Sequence, residues 1–328
     1  MGDHLDDNRS TQHATGTGLV SRASGHGREL TIWLFGNLQP KPSNRTAKNG
    51  LRYSRAVIKS RALIFLSLLL SCLLSAADIV TFPSGDLTLH GVLYKPEGKG
   101  PFPAVVYNHG SAAGMLSKDA FDALGPVFAS HGWVFFGPYR RGQGLSASAG
   151  PYIGDQISAA DKAGGISAAA AAMVRLLETD HLNDQLSASA WLRKQPFVDS
   201  RRIAVAGNSF GGIEAVLGAE KGNYCAAIAS AAGAQSWAKA PALQSMMTRA
   251  VRNATAPIFF FQAANDYDLS PSNTLSAAMK EAAKPYQLKI YPPYGDSPSD
   301  GHTFGYFGAA VWAEDVFRFL NQNCDHAK

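Results

Sequence analysis

The sequence predicts an α/β protein whose mostly parallel central sheet begins with an antiparallel hairpin and carries helices on both faces. Short apolar runs, such as 104–107 and 257–262, alternate with stretches of helical periodicity, as in parallel sheets. Residues 79–94 instead alternate apolar and polar side chains across the turn Pro83-Ser84-Gly85-Asp86, which is typical of a hairpin. A Gly-x-Ser-x-Gly sequence at 207–211 joins an apolar run to a helical one, as expected for a strand, a tight turn and a helix.

The leader differs in composition from the rest of the chain. Residues 1–61 contain ten Lys and Arg against four Asp and Glu, whereas the remainder contains 20 against 21. The net charge of +5 therefore belongs to the leader, and no nucleic-acid partner is expected for the body. Residues 1–56 are polar and lack an apolar period, so they predict a disordered leader.

A signal peptide is predicted at 57–77. Basic residues precede the apolar run 62–74, and Ser75-Ala76-Ala77 supplies a small-residue cleavage site. We therefore expect a secreted or periplasmic protein that meets a membrane only through this segment. Two alternatives are an uncleaved membrane anchor and a lipoprotein cleavage site before Cys72. Because the signal lies far from Met1, a further hypothesis is that translation starts near Val57.

The body, residues 78–328, is expected to form one domain. We predict strands at 79–82, 87–94, 104–107, 133–136, 202–206, 224–229, 257–262 and 286–291, each a short run rich in apolar residues. We predict helices at about 118–130, 168–194, 213–219, within 236–252, before 283, and at 309–322. The helical stretch 168–194 is long, so Asn183-Asp184 is the expected join between two helices. Residues 144–172, rich in Gly, Ala and Ser, predict either a small lid or a passive loop that enters a helix.

The turn at Ser209 is the centre of the predicted site. Glycines on both sides allow a turn so tight that the serine side chain is lifted out of the sheet. The backbone N–H of Phe210, at the start of the next helix, would then face any oxyanion formed beside Ser209.

A serine hydroxyl needs a base and an orienting carboxylate before it becomes a good nucleophile. His302 follows the last predicted strand and is the expected base. The other candidates fit less well, because His90 lies in the hairpin, His131 and His181 lie at helix ends, and His326 lies in the tail. Asp266 follows the strand 257–262 directly and is preferred as the carboxylate. Asp268 stays open as an alternative that could instead cap the next helix, and Asp300 is disfavoured because it is too close in sequence to His302.

A second oxyanion donor is expected in the turn after strand 104–107. The backbone N–H of Ser111 fits that place, and His109 beside it is expected to be structural. The sequence shows no cluster of residues with metal-ligand spacing, no phosphate-binding loop and no dinucleotide fingerprint. We therefore expect no cofactor and no metal.

From 78 to 323 the sequence resembles the α/β-hydrolase superfamily, and within it the dienelactone hydrolase and prolyl oligopeptidase-like branch. The resemblance is carried by the following segments: His109-Gly110, 138–144, Trp191-Leu192, 197–203, 207–212, Asn265-Asp266 and Gly301-His302. It implies an α/β-hydrolase catalytic domain over 78–328, with Ser209 as nucleophile, His302 as base and acid, and Asp266 as orienter. Arg141 resembles the structural arginine of the loop at 138–144.

The chain departs from this branch in several ways. Dienelactone hydrolases proper use a cysteine where this chain has Ser209, so lactone opening is not implied. Prolyl oligopeptidases carry a large N-terminal propeller, which residues 1–77 cannot form. Ala263 and Ser270 replace the glycine and proline usual around the acid, which leaves the choice between Asp266 and Asp268 open.

The sequence thus predicts an exported serine hydrolase that cleaves a carboxylic ester of a small or medium substrate. The alternatives are a peptidase acting on short peptides and a hydrolase fold used only for binding. Cys225 and Cys324 would remain after signal removal. Export permits a disulfide between them, although the position of Cys225 in a predicted core strand favours a buried free thiol.

Overall fold

Eight strands form one sheet in the computed structural model, which describes residues 77–111 and 115–325. They are β1 (Asp78–Ser84), β2 (Leu87–Tyr94), β3 (Phe102–Asn108), β4 (Val134–Pro138), β5 (Val198–Asn208), β6 (Ala227–Ser230), β7 (Ile258–Ala263) and β8 (Tyr286–Tyr291). Their order across the sheet is β1-β2-β4-β3-β5-β6-β7-β8. The β1–β2 and β2–β4 pairs are antiparallel, and the other neighbouring strands are parallel. The predicted fold class is confirmed.

Helices cover both faces of this sheet. They are α1 (Met115–Ser130), α2 (Ile153–Leu176), α3 (Leu182–Leu192), α4 (Phe210–Lys221), α5 (Pro241–Asn253), α6 (Ser270–Glu281), α7 (Pro298–His302), α8 (Phe304–Phe307) and α9 (Ala309–Cys324). Successive strand residues point to opposite faces, which explains the two core layers. Val105 of β3 packs in the layer that contains Phe121 and Phe317, from α1 and α9. Its neighbour Val106 packs in the layer that contains apolar residues of α2 to α6.

The long helical stretch differs from its prediction. Helix α2 begins at Ile153, bends at Gly164 and Gly165, and continues through a wider π-helical segment, Leu177–His181, into α3. The expected join at Asn183-Asp184 is wrong. Within 168–194 the helix changes only at the π-helical segment. The sharper bend lies before that stretch, at Gly165, whose φ of 71° glycine adopts without strain. The predicted lid region, 144–172, contains a 3-10 turn at Gly144–Ala149 and the first part of α2. Its role as a lid stays a prediction.

Cys225 and Cys324 form a disulfide, with their Cα atoms 5.0 Å apart. The preference for a free thiol at Cys225 is therefore wrong. Strand β6 begins at Ala227, so Cys225 precedes the strand and is not held in its interior. The bridge joins this segment to the last residue of α9.

The predicted leader, 1–56, and all but Ala77 of the predicted signal peptide lie outside the described residues. Within the part of the chain that the structure describes, none of the helices is long and apolar enough to cross a membrane.

Candidate active site

Ser209 occupies the tight turn between β5 and α4. Its backbone has φ 60° and ψ −121°, a strained conformation for a residue with a side chain. A β-carbon built on Gly207 would lie 2.2 Å from the carbonyl oxygen of Gly211, and one on Gly211 would lie 1.9 Å from that of Asn108. Only glycine fits at both positions. The turn is therefore the strand–serine–helix arrangement that the sequence predicts.

The structure brings Ser209, His302 and Asp266 together. His302 Nε2 lies 2.9 Å from Ser209 Oγ, and His302 Nδ1 lies 2.8 Å from Asp266 Oδ1. All three residues are buried, each with less than a tenth of its surface exposed. Because a carboxylate oxygen only accepts hydrogen bonds, Nδ1 is the protonated nitrogen when the ring is neutral. Nε2 then has its lone pair available for the Ser209 proton.

Two neighbours orient the Asp266 carboxylate. Gln262, near the end of β7, donates its Nε2–H to Asp266 Oδ2 at 2.7 Å. The Tyr267 backbone N–H donates to Oδ1 at 2.7 Å. The Tyr267 ring meets the His302 ring edge-on, with centroids 5.3 Å apart, and is 47% exposed. Tyr267 thus borders the histidine on a side that solvent reaches.

The two competing carboxylates accept backbone N–H groups near the starts of two helices. Asp268 Oδ1 accepts the Ser270 N–H at 2.8 Å at the start of α6. Asp300 forms a capping box with Ser297 at the start of α7. Neither is the carboxylate that contacts His302. The same helix α7 ends at His302, which the sequence had placed in a loop.

Two asparagines that the sequence analysis gave no role join the segments of the site. Asn265 donates to the carbonyls of Tyr294 and Ser297, at 3.0 and 2.9 Å, and so fixes the approach to α7 against the end of β7. Asn208 donates to the His302 carbonyl at 3.0 Å. The only hint in the sequence was that each asparagine directly precedes a predicted site residue.

The predicted oxyanion donors lie at the expected turns. Phe210 is the first residue of α4, and N–H groups in a first helical turn have no acceptor within the helix. The Ser111 carbonyl accepts from Tyr152 Oη at 2.5 Å and from Gln143 Nε2 at 3.1 Å. The Gly110 N–H is occupied by Tyr306 Oη at 2.8 Å, so Ser111 supplies the next amide of the turn. Their roles as oxyanion donors stay predictions.

Two consecutive arginines have different surroundings. Arg141 binds Asp184, whose side chain is 1% exposed, with Nη2 and Oδ1 2.7 Å apart. Arg140 is itself 1% exposed and donates to the carbonyls of His109 and Gly110, both at 2.8 Å. From the sequence, Arg141 has a predicted structural role and Arg140 has none. No local pattern distinguishes two adjacent arginines, so this contact could not be found from the sequence.

His109 is part of the same turn. Its Nδ1 lies 2.8 Å from the Gly110 carbonyl oxygen and must donate, since a carbonyl only accepts. Its Nε2 accepts the Arg140 backbone N–H at 3.3 Å. Burial, and then the nearby guanidinium of Arg140, hold the pKa of His109 well below its ordinary value. His109 is thus a neutral ring whose two nitrogens bind the backbone.

Comparisons with solved structures show the same fold in larger and in similar-sized enzymes. The acylaminoacyl peptidase of Pyrococcus horikoshii is 18% identical, with TM-score 0.57, over 82% of this chain and 44% of that one. Dipeptidyl peptidase 4 of Porphyromonas gingivalis is 18% identical, with TM-score 0.56, over 76% of this chain and 36% of that one. An esterase of Pyrococcus furiosus is 16% identical, with TM-score 0.54, over 76% of this chain and 93% of that one.

This chain thus spans less than half the length of the two peptidases and nearly the whole length of the esterase. A search of the curated proteins finds no match. The sequence model of the dienelactone hydrolase family matches residues 89–305, which is well over half of the chain. That match includes the turn at Ser209 and ends just after His302. The chain therefore belongs to the dienelactone hydrolase family and has the α/β-hydrolase fold.

Proposed function

We propose that the protein is an exported serine hydrolase that cleaves a carboxylic ester of a small or medium substrate through an acyl-enzyme. Ser209 Oγ attacks the ester carbonyl carbon while His302 Nε2 takes its proton. The bond to the alcohol then breaks, and His302 returns the proton to the leaving oxygen. A water molecule, deprotonated by His302, attacks the acyl-enzyme and releases the acid and Ser209.

One observation carries this proposal, namely the continuous hydrogen-bonded line from Ser209 Oγ through His302 to Asp266, with contacts of 2.9 and 2.8 Å. Asp266 keeps the imidazole in the tautomer that accepts the serine proton, and its charge stabilises the imidazolium that forms. The N–H groups of Phe210 and Ser111 would hold the oxyanion of the tetrahedral intermediate.

An ester is favoured as substrate because the match to the similar esterase covers 93% of the esterase's own length. The second candidate is a peptidase acting on short peptides. It is favoured by the two peptidases, which share the fold over about three quarters or more of this chain. The same acyl-enzyme route serves both, since the two reactions differ in the leaving group.

Export is supported by the Cys225–Cys324 bridge together with the predicted signal peptide. Disulfides persist in oxidising compartments and are rare in the cytosol. We propose secretion or periplasmic localisation, with membrane anchoring through the segment 57–77 as the alternative.

The test is hydrolysis of p-nitrophenyl acetate beside an alanine or proline p-nitroanilide by the wild type and Ser209→Ala. Ser209→Ala should lower kcat by several orders of magnitude, as in triad knockouts. Ser272→Ala is the matched control, because Ser272 is also buried, lies on α6, and its Oγ has no hydrogen-bond partner among the described residues. If neither substrate turns over and a fluorophosphonate does not label Ser209, the binding-only fold is the better description.

A further inference from the structure

Arg140 is a buried charge beneath the turn that faces Ser209. Its side chain is 1% exposed, and no carboxylate among residues 77–111 and 115–325 forms an ion pair with it. Burying a guanidinium is costly unless its donors are satisfied. Two of those donors bind consecutive backbone carbonyls, with Nη1 on His109 and Nη2 on Gly110, both at 2.8 Å.

The Gly110 carbonyl is held by several donors at once. Besides Arg140 Nη2 at 2.8 Å, it accepts from His109 Nδ1 at 2.8 Å and from Gln143 Nε2 at 3.4 Å. The amide that follows this carbonyl belongs to Ser111. In a planar trans peptide the C=O and N–H bonds point in opposite directions. The donors that fix the Gly110 oxygen therefore also fix the direction of the Ser111 N–H, which points away from Arg140.

The other side of this turn packs on the nucleophile. A β-carbon built on Gly110 would lie 3.5 Å from the Cβ of Ser209 and 2.7 Å from Tyr306 Oη. The turn thus lies in van der Waals contact with Ser209, and a side chain at Gly110 would collide with Tyr306 Oη. The Gly110 N–H already donates to Tyr306 Oη. The Ser111 N–H is therefore the next amide of the turn that can donate to an oxyanion beside Ser209.

We propose that Arg140 is a positioning residue that holds and polarises the Gly110–Ser111 peptide, so that the Ser111 N–H is a strong and correctly directed oxyanion donor. A positive charge on the carbonyl side of a peptide draws electron density toward that oxygen and makes the N–H on the other side a better donor. This polarisation is large in the protein interior, where water does not screen the guanidinium charge. This inference rests on the proposed function and names a residue that acts without touching the substrate.

The test uses a pair of esters that differ in one atom, p-nitrophenyl acetate and its thiono analogue, in which sulfur replaces the carbonyl oxygen. Sulfur is a poor acceptor, so an intact oxyanion site favours the oxygen ester. Arg140→Met should lower kcat for the oxygen ester about 10- to 100-fold, less than the loss of a whole donor. KM should stay within about two-fold, because the contact acts in the transition state. The kcat for the thiono ester should fall less, so the ratio of the oxygen-ester rate to the thiono-ester rate should decrease.

Arg141→Met is the matched control. It removes the adjacent guanidinium, which binds Asp184, and should lower stability while leaving the ratio of oxygen to thiono rates unchanged. An equal fall of this ratio in Arg141→Met would mean that general damage to the loop is the cause, and would overturn the proposal. Arg140→Lys keeps the charge but cannot hold two carbonyls in the same way, so we expect an intermediate ratio.

The outcomes separate this inference from the proposed function. If Arg140→Met folds and keeps the wild-type kcat, or loses both ester activities equally, the positioning role is wrong although the enzyme is a serine hydrolase. If Arg140→Met does not fold, Arg140→Lys decides, and a wild-type ratio in that variant overturns the role. Absence of any turnover by the wild type, with no labelling of Ser209 by a fluorophosphonate, would overturn the proposed function itself.

Discussion

At the residue scale, the proposed chemistry depends on which of two nearby carboxylates meets the histidine. Asp266 contacts His302 Nδ1 and is oriented by Gln262, whereas Asp268 accepts the Ser270 N–H at the start of α6. In the sequence, Asp266 is the preferred carboxylate because it comes first after the strand. The two residues therefore provide a test in which an identical substitution, two positions apart, should have different effects.

Asp266→Asn should lower kcat about 10⁴-fold, because an amide can donate to Nδ1 and stabilise the wrong tautomer of the imidazole. Asp268→Asn should keep kcat and lose at most about 1 kcal/mol of stability through a weaker hydrogen bond to the Ser270 N–H. Steady-state kinetics on p-nitrophenyl acetate and thermal unfolding of both variants give the answer. A large loss of kcat in Asp268→Asn, with activity retained in Asp266→Asn, would reverse the assignment.

At the scale of the element, helix α4 carries an ionisable group into the core. Glu214 lies five residues after Ser209 and is fully buried, and neither carboxyl oxygen has a hydrogen-bond partner among the described residues. Burial raises its pKa from 4.5 to about 8, and the charge of Arg140 opposes this shift. The helix thus brings into the interior a carboxyl group that holds its proton at neutral pH.

This burial predicts a pH dependence of stability. Between about pH 4.5 and 8, folded Glu214 keeps a proton that the unfolded chain releases, so its contribution to the free energy of unfolding falls as pH rises. Glu214→Gln cannot ionise. Its stability relative to the wild type should therefore increase from pH 5 to pH 8, measured by denaturant unfolding.

Glu220→Gln is the control on the same helix. Glu220 is bound by Arg249 and Asn253, and hydrogen bonds from these residues lower its pKa below 4.5 against the opposing effect of burial. It is ionised in both states above about pH 6, so the stability difference between Glu220→Gln and the wild type should stay constant from about pH 6 to 8. A constant difference for Glu214→Gln as well would show that its carboxyl is ionised in the folded protein.

At the scale of the whole molecule, the two helical layers and one disulfide hold the sheet. The bridge between Cys225 and Cys324 spans 99 residues of sequence and ties the end of α9 to the segment before β6. Helix α9 also buries Trp312 and Phe317 against the sheet. We therefore expect the bridge to add stability to a domain that is already held by its core.

Cys324→Ser should lower the free energy of unfolding by about 2–5 kcal/mol, since it removes a constraint on the unfolded chain. Reduction of the wild type should lower it by a similar amount, and reduction of Cys324→Ser should change nothing further. Denaturant unfolding with and without reductant measures this, and alkylation of the unreduced protein followed by mass spectrometry checks the bridge. Alkylation at both cysteines without reduction would contradict it.

Much of the fold could be predicted because its signals are local. The strand Tyr286–Tyr291 lies where its sequence placed it, and the turn at Ser209 is determined by flanking glycines that leave no room for a β-carbon. The break in the long helical stretch was misplaced. The Asp184 side chain is buried and binds Arg141. The Asn183-Asp184 pair therefore lies within helix α3 and does not end a helix.

In the candidate site, the residue identities could be predicted from the sequence, whereas most of the contacts could not. The identities and order of Ser209, Asp266 and His302 could be read from the chain, because each follows a recognisable strand or turn and parallel strands end at a common edge. Their contacts of 2.9 and 2.8 Å, the pairing of two cysteines and the contact of Arg140 with the 109–110 carbonyls became evident only in the folded chain. These contacts join residues that are 30 to 99 positions apart, and periodicity describes only neighbours along the chain.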